Sequence, residues 1–202
     1  MSQADRDKWD ARYREGAYST RTNPSVLLAE WLPKLKLGKT RPRAVDIACG
    51  AGRNALYLGR EGWRVDALDI SQVALERLAA TATAERLSIN CIEADLDGSS
   101  PLPSALCTAE RYDLALLIRY TNLPLIERLK QVVKTGGYLI VEEHLTTKAE
   151  VIGPRNPQFR VAPGALREAA EGLRIMACRE GIVDEPDGRT AALAQLIACK
   201  TE

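Results

Sequence analysis

Between residues 44 and 141 the chain alternates short apolar runs with amphipathic stretches, and no other feature restricts its fold so tightly. Ala44–Ala48, Arg64–Leu68, Ser88–Glu93, Tyr112–Ile118 and Tyr138–Val141 read as five strands. The fourth, YDLALLI, reads as a continuous apolar strand of the kind that is covered on both faces. Helices are expected at Arg53–Glu61 with Gly62 as the stop, from the N-cap Ser71 through Arg86, and at Pro124–Val133. Gly136-Gly137 reads as the turn into the fifth strand. Strands joined through helices pair in parallel. A helix near Gly164–Glu171 follows, then strands Leu173–Val183 and Thr190–Lys200 flanking the hairpin signal Asp187-Gly188. The expected fold is α/β: a Rossmann-like, doubly wound, mostly parallel seven-stranded sheet whose C-terminal hairpin adds an antiparallel edge.

Ahead of the sheet, the charged segment Asp5–Tyr13 places Trp9 and Tyr13 four residues apart, on one face of a short helix. A Gly/Ser/Thr/Arg loop (Gly16–Asn23) leads to Pro24, which is suited to open a helix through Leu35. Residues 1–43 are therefore expected to form an N-terminal helical segment, and 44–202 a single domain. The Pro-punctuated stretch Ser99–Arg111 leaves room for only a short helix.

Composition removes several function classes. A net charge of +1 supplies no broad field for nucleic acid. Cys49, Cys91, Cys107, Cys178 and Cys199 contain no C-x-x-C pair, which argues against a disulfide framework and a structural zinc site. His144 is the only histidine, so no multi-histidine metal centre can form. No apolar stretch approaches membrane-spanning length. The expectation is a cytoplasmic protein with no metal, membrane or nucleic-acid partner, acting on a small molecule as a monomer or homodimer.

Ligands of such sheets bind beyond the carboxyl ends of the strands. After the first strand comes Gly50-Ala51-Gly52-Arg53-Asn54-Ala55, which satisfies G-x-G-x-x-A and would suit a dinucleotide. Asp46, four residues earlier, would repel a pyrophosphate and suits an ammonium group instead. Asp69, 19 residues past Gly50, can accept from ribose hydroxyls, and Asp95 after the third strand from an adenine amine. Each aspartate alone could be a simple cap. Together they describe a ligand with a cationic amino-acid end, a ribose and an adenine, which S-adenosylmethionine fits.

The stretch DIACGAGRNALYLGREGWRVDALDIS resembles motif I through the second-strand acid of class I S-adenosylmethionine-dependent methyltransferases. With the leading WDARY and NPS segments it is similar to the tellurite-resistance (TehB-like) methyltransferase family. That resemblance implies that Asp46, the backbone of Ala48 and Gly50, and Gly52 surround the methionine part, with Cys49 and Asn54 of the same turn in the cofactor set. It implies that Asp69 holds the ribose, Ile70 covers an adenine face, and Asp95 with Leu96 binds the adenine edge. Ile118 would lie beside the methyl group, and Trp9, Arg12 and Tyr13 would belong to an N-terminal lid. Ala48 stands where the family has glycine. Asn122 and Leu123 replace a His and an Arg of a bacterial subgroup reading R-Y-L-H-R-P.

On the acceptor side the candidates are Arg119, Tyr120, Glu142, Glu143 and His144, which end the fourth and fifth strands. His144 is either a general base or a strand-end histidine. Arg155 and Arg160 either clamp an anionic acceptor or anchor their Pro-rich loop. No N/D-P-P-Y motif follows the fourth strand, which counts against adenine-N6 methylation. The leading expectation is methyl transfer to a small acceptor, a metalloid oxyanion such as tellurite or selenite, or a thiol, releasing S-adenosylhomocysteine. The alternatives are a cofactor-binding module without turnover and an NAD-dependent oxidoreductase.

Overall fold

The computed structural model describes residues 3–38, 41–97, 102–103, 106 and 109–201. Most of the stretch 99–111 lies outside these residues, as does Cys107. The elements in chain order are α1 (Gln3–Arg14), α2 (Val26–Trp31) with a 3-10 turn at Leu32–Lys34, β1 (Arg43–Ile47), α3 (Arg53–Arg60), β2 (Arg64–Asp69) and α4 (Gln72–Ala84). They continue with β3 (Ile89–Glu93), β4 (Tyr112–Ile118), α5 (Leu123–Val132), β5 (Val133–His144), a 3-10 turn at Pro157–Phe159, α6 (Ala165–Ala169), β6 (Arg174–Asp184) and β7 (Thr190–Cys199).

All seven strands form one sheet in the order β3-β2-β1-β4-β5-β7-β6. The pairings from β3 to β5 are parallel, and β7 is antiparallel to both of its neighbours. The antiparallel strand is thus interior, and β6 rather than β7 forms the edge. The core has two halves, one on each face of the sheet. Leu27, Leu28, Leu58 and Leu78 of α2, α3 and α4 pack on Leu114, Leu116 and Ile140. Leu125, Ile126 and Leu129 of α5 and Leu166 of α6 pack on Leu117, Val141 and Leu196. Helices on both faces account for the unbroken burial of β4.

Three local expectations change. Pro24 does not open α2; Ser25 caps it, its Oγ accepting from Leu28 N at 3.1 Å, and Asn54 Oδ1 accepts from Ser25 N at 2.9 Å. Gly136-Gly137 does not precede the fifth strand but lies inside it. A Cβ on Gly137 would sit 2.9 Å from Lys134 O and 3.1 Å from Asp113 O, so the strand passes β4 here, at the register shift between Tyr112 and Leu114, only without a side chain. The first strand ends at Ile47 because Ala48 adopts φ +53 and turns the chain.

At the amino ends of the strands the buried carboxylate of Asp66 gathers a polar cluster. Its Oδ2 accepts from Tyr112 OH (2.7 Å) and Arg43 Nη2 (2.8 Å), and its Oδ1 from Asn90 Nδ2 (3.0 Å). These bonds hold its carboxyl below the usual carboxylate range despite burial. Asp66→Ala would leave the buried Tyr112 hydroxyl without its acceptor while the part-exposed Arg43 turns to water, and the expected loss is about 2–3 kcal/mol, against roughly 1 kcal/mol for Tyr112→Phe. Urea unfolding of the two variants checks the ranking.

Candidate functional site

The carboxyl ends of β1, β2, β4 and β5 bring most of the sequence-selected residues together. After β1 the chain turns through Ala48, Gly50 at φ +57 and Gly52 at φ +84 into the amino end of α3. At both glycines a Cβ would collide, with the Tyr13 hydroxyl at Gly50 and with Leu78 at Gly52. The turn is fastened to β2 by Asp69: Gly50 N donates to its Oδ2 at 2.7 Å and Ser71 N to its Oδ1 at 2.9 Å. Burial raises the Asp69 carboxyl against the pull of these bonds.

Asp46 is 1% exposed, on the α3 side of β1, and its Oδ2 has no hydrogen-bond partner among the described residues. Burial pushes its carboxyl up to about 7, opposed by Arg53 and by the Ala55 backbone N–H. Among the described residues Arg53 makes no salt bridge; desolvation and the neighbouring Arg119 lower it, while Glu142 and Asp46 act the other way. Sequence reasoning passed over Arg53. The available signal was its place in the first turn of α3, directly after the second glycine.

Helix α1 lies across the front of this turn. Asp10 Oδ1 accepts from Ser71 Oγ (2.7 Å) and Val73 N (3.2 Å) at the start of α4, and Arg6 pairs with Glu93 at 2.6 Å. Tyr13 is buried against Gly50, which raises its phenol. Its ring lies 6.3 Å from Trp9 and 6.0 Å from Tyr18, and Arg12, exposed, stacks 5.0 Å from the Trp9 ring. Asn54 Oδ1 accepts from Ser25 N, which seats α2 on α3. Cys49 is buried, with its thiol directed at the Gly50 carbonyl 3.5 Å away.

On the β3 side Ile70 and Leu96 are buried. Asp95 Oδ1 accepts from Asp97 N at 3.1 Å, and Asn122 Nδ2 donates to Leu96 O at 3.1 Å. Tyr120 donates its phenol proton to Asp97 Oδ1. The residues after β4 are therefore bound across to those after β3.

At the ends of β4 and β5, Ile118 is buried and Arg119 follows at φ +60. Arg119 N donates to Glu142 O (2.6 Å), Nε to Glu142 Oε1 (2.9 Å), and Nη2 to Glu185 in the β6–β7 turn. Gln195 Nε2 donates to the other Glu142 oxygen at 2.9 Å. Glu142 is thus a fixed counter-ion and not an idle base. The adjacent Glu143 points to the opposite face of the sheet, with Thr121 Oγ1 donating to its Oε2 at 3.0 Å; burial pushes it up to about 8. His144 is buried under Gly153, and desolvation together with Arg119, Arg160 and Arg21 pushes it down to about 4, so it is neutral at neutral pH. Arg160 donates to Pro154 O (2.9 Å) and Leu145 O (2.8 Å) and so anchors its loop, while Arg155 is exposed on that loop.

Among the described residues no group of three or more His, Cys, Asp and Glu side chains could hold a metal ion, and no helix is long and apolar enough to cross a membrane.

Residues 44–137 match the family model described as a methyltransferase domain. A probable S-adenosyl-L-methionine-dependent methyltransferase TehB of Haemophilus influenzae is 26% identical over 133 residues, 62% of this chain and 44% of that protein. A ribosomal RNA small subunit methyltransferase C of Alcanivorax borkumensis is 30% identical over 121 residues, 58% of this chain and 32% of that protein. The chain therefore spans less than half the length of these relatives. The crystal structure of Haemophilus influenzae TehB superimposes with a TM-score of 0.70 at 22% identity, covering 92% of this chain and 66% of that one. Over residues 44–137 the chain is similar in sequence to a methyltransferase domain, and its fold is similar to that of TehB.

Proposed function

We propose that the protein binds S-adenosylmethionine at the carboxyl ends of β1–β4 and transfers its methyl group to a small-molecule acceptor. The observation that carries this reading is the Oδ2 of the buried Asp46, which has no hydrogen-bond partner among the described residues, with the guanidinium of Arg53, which makes no salt bridge among them, nearby. A buried carboxylate with a vacant oxygen is costly unless a cation satisfies it. An α-amino acid group supplies an ammonium for Asp46 and a carboxylate for Arg53, and a dinucleotide supplies neither. The bare backbone at Gly50 and Gly52 allows close approach. Asp69 holds the ribose, and Ile70, Asp95 and Leu96 receive the adenine. Helix α1 acts as the lid, with Trp9, Arg12 and Tyr13 over the glycine turn.

When bound, the cofactor supplies a methyl group already activated on a sulfonium. The chain has then to bring the acceptor into line and keep water out. Arg119, fixed by Glu142 and Glu185, and Tyr120, fixed by Asp97, are held still at the end of β4 for that task. A thiol or a metalloid oxyanion, as the first acceptors to try, asks for little base catalysis. That suits a site whose histidine is held neutral and whose Glu142 is already paired.

Calorimetric titration tests the cofactor. Saturable binding of S-adenosylmethionine and S-adenosylhomocysteine is expected, with none for NAD(H), and Asp69→Ala should weaken the adenosyl ligands at least tenfold, the size of one or more lost charge-assisted hydrogen bonds. A folded protein that binds neither adenosyl ligand would sink the reading. Because Asp46 ionises around pH 7 and only its carboxylate attracts an ammonium, S-adenosylmethionine should bind more tightly as the pH rises from about 6 to about 8. That rise should disappear in Asp46→Asn. Gly50→Ala should drive the Tyr13 ring out of its seat and weaken the cofactor, which near-ultraviolet circular dichroism and the same titration would register.

A further inference from the structure

Glu143 interrupts an apolar row. Leu139, Val141 and Leu145 share its face of β5, Ala194 stands opposite it on β7, and all four belong to the core. Glu143 itself is 0% exposed. Thr121 Oγ1 donates to its Oε2 at 3.0 Å, and its Oε1 has no hydrogen-bond partner among the described residues. A leucine would fill such a position without burying a polar group, so the carboxyl needs a reason beyond packing.

The bond to Thr121 reaches the loop between β4 and α5, residues 119–122. That loop joins two sides of the candidate site. Arg119 N donates to Glu142 O (2.6 Å) at the end of β5, while Tyr120 OH donates to Asp97 Oδ1 beyond β3. Asn122 Nδ2 donates to Leu96 O and Asp97 Oδ1, both at 3.1 Å. Resting on the methyltransferase reading, we propose that Glu143 is a positioning residue: it holds this loop, and through it the adenine side of the cofactor site, only while it keeps its proton.

The neutral acid can remain in an apolar core at modest cost, whereas the carboxylate needs a cation or a full set of donors. Few are at hand. Glu142, on its own strand, opposes ionisation. Arg119, after β4, favours it, but that guanidinium is already bonded to Glu142 and Glu185. From the loop that follows β5, Arg160 is bonded to Pro154 O and Leu145 O. Across Ala194, Glu180 of β6 accepts from Gly164 N, and α5 and α6 meet this core with Leu125, Ile126 and Leu166. Burial accordingly pushes the Glu143 carboxyl up to about 8, against the pull of Thr121 and of the Tyr120 backbone N–H. Once ionised, the side chain is relieved by moving toward water, and Thr121 moves with it. The unfolded chain releases this proton near the ordinary carboxylate value of about 4.3, so wild type loses stability as the pH rises from about 5 to about 8.

The test titrates S-adenosylhomocysteine into the full chain between pH 6.5 and 9.5, for wild type, Glu143→Gln and Thr121→Val. The glutamine copies the protonated acid and does not ionise. Relative to it, wild type should lose about tenfold in affinity by about pH 9, and the ionisation of the ligand's own amine cancels in that ratio. Thr121→Val should bind more weakly at pH 7, with its fall moved to higher pH, because the lost hydroxyl favours the ionised form. A purely structural glutamate would change affinity by one factor at every pH. Hydrogen exchange of the ligand-free wild type reads the loop without any variant: with the intrinsic rate divided out, protection of the Arg119 amide should fall about tenfold between pH 7 and 9. Parallel pH profiles for wild type and a folded Glu143→Gln protein overturn the proposal, as does unchanged Arg119 protection over that range. If wild type binds no adenosyl ligand while its loop loosens with pH, the hold of Glu143 on the loop stands and the cofactor reading falls.

Discussion

The carboxylate of Asp69 ties two strand exits into one surface. By accepting from Gly50 N and Ser71 N it fixes the turn after β1 and the start of α4 together, and Ser71 in turn receives α1 through Asp10. Without that acceptor the two amides would be buried and unsatisfied, a cost of the order of 1–3 kcal/mol each. Everything placed around the turn depends on it: the bare backbone at Gly50, the Tyr13 ring against that backbone, and the position of Asp46 behind it. One side chain therefore couples the sheet to the segment that covers it.

A second layer of organisation comes from charge held out of water. Asp46, Arg53, Arg119 and Glu142 cluster within the ends of three adjacent strands and the first turn of α3. Their burial is expensive, and the pattern of what is and is not satisfied is informative. Arg119 and Glu142 are tied to each other and make a stiff scaffold, whereas among the described residues Asp46 keeps an unpartnered oxygen and Arg53 makes no salt bridge. Unsatisfied groups beside a rigid frame are the hallmark of a surface shaped for something else to complete.

Most of the sheet could be read directly from the chain, because alternation of apolar runs with capped helices is a local signal. Tyr112–Ile118 and the Ser71 cap came out as expected. The misreadings have a common physical origin in contacts between distant residues. Gly136-Gly137 looks like a turn until Asp113 O is seen pressing on it from β4, and Pro24 looks like a helix start until Asn54 is found taking the Ser25 N–H. The same holds at the site. The three strand-end aspartates were legible because position after a strand is itself informative. Arg53 was overlooked, Arg160 was ambiguous, and Glu185 could not be suspected, since only the folded hairpin brings it 66 residues along the chain to Arg119.

The interior placement of β7 has a consequence for how the molecule is made. β6 emerges from synthesis first, yet its sheet partner is β7, and β7 must slip between β6 and β5, pairing with Tyr138–His144 across 49 to 61 residues of sequence. Until then the apolar edge of β5 stands open, able to capture a strand of another nascent chain. Closure of such long loops is slow, and an unpaired edge is most exposed to association while it lasts. The Asp187-Gly188 turn, which zips β6 and β7 into a hairpin locally, shortens that interval by delivering both strands to the waiting edge as one preformed unit.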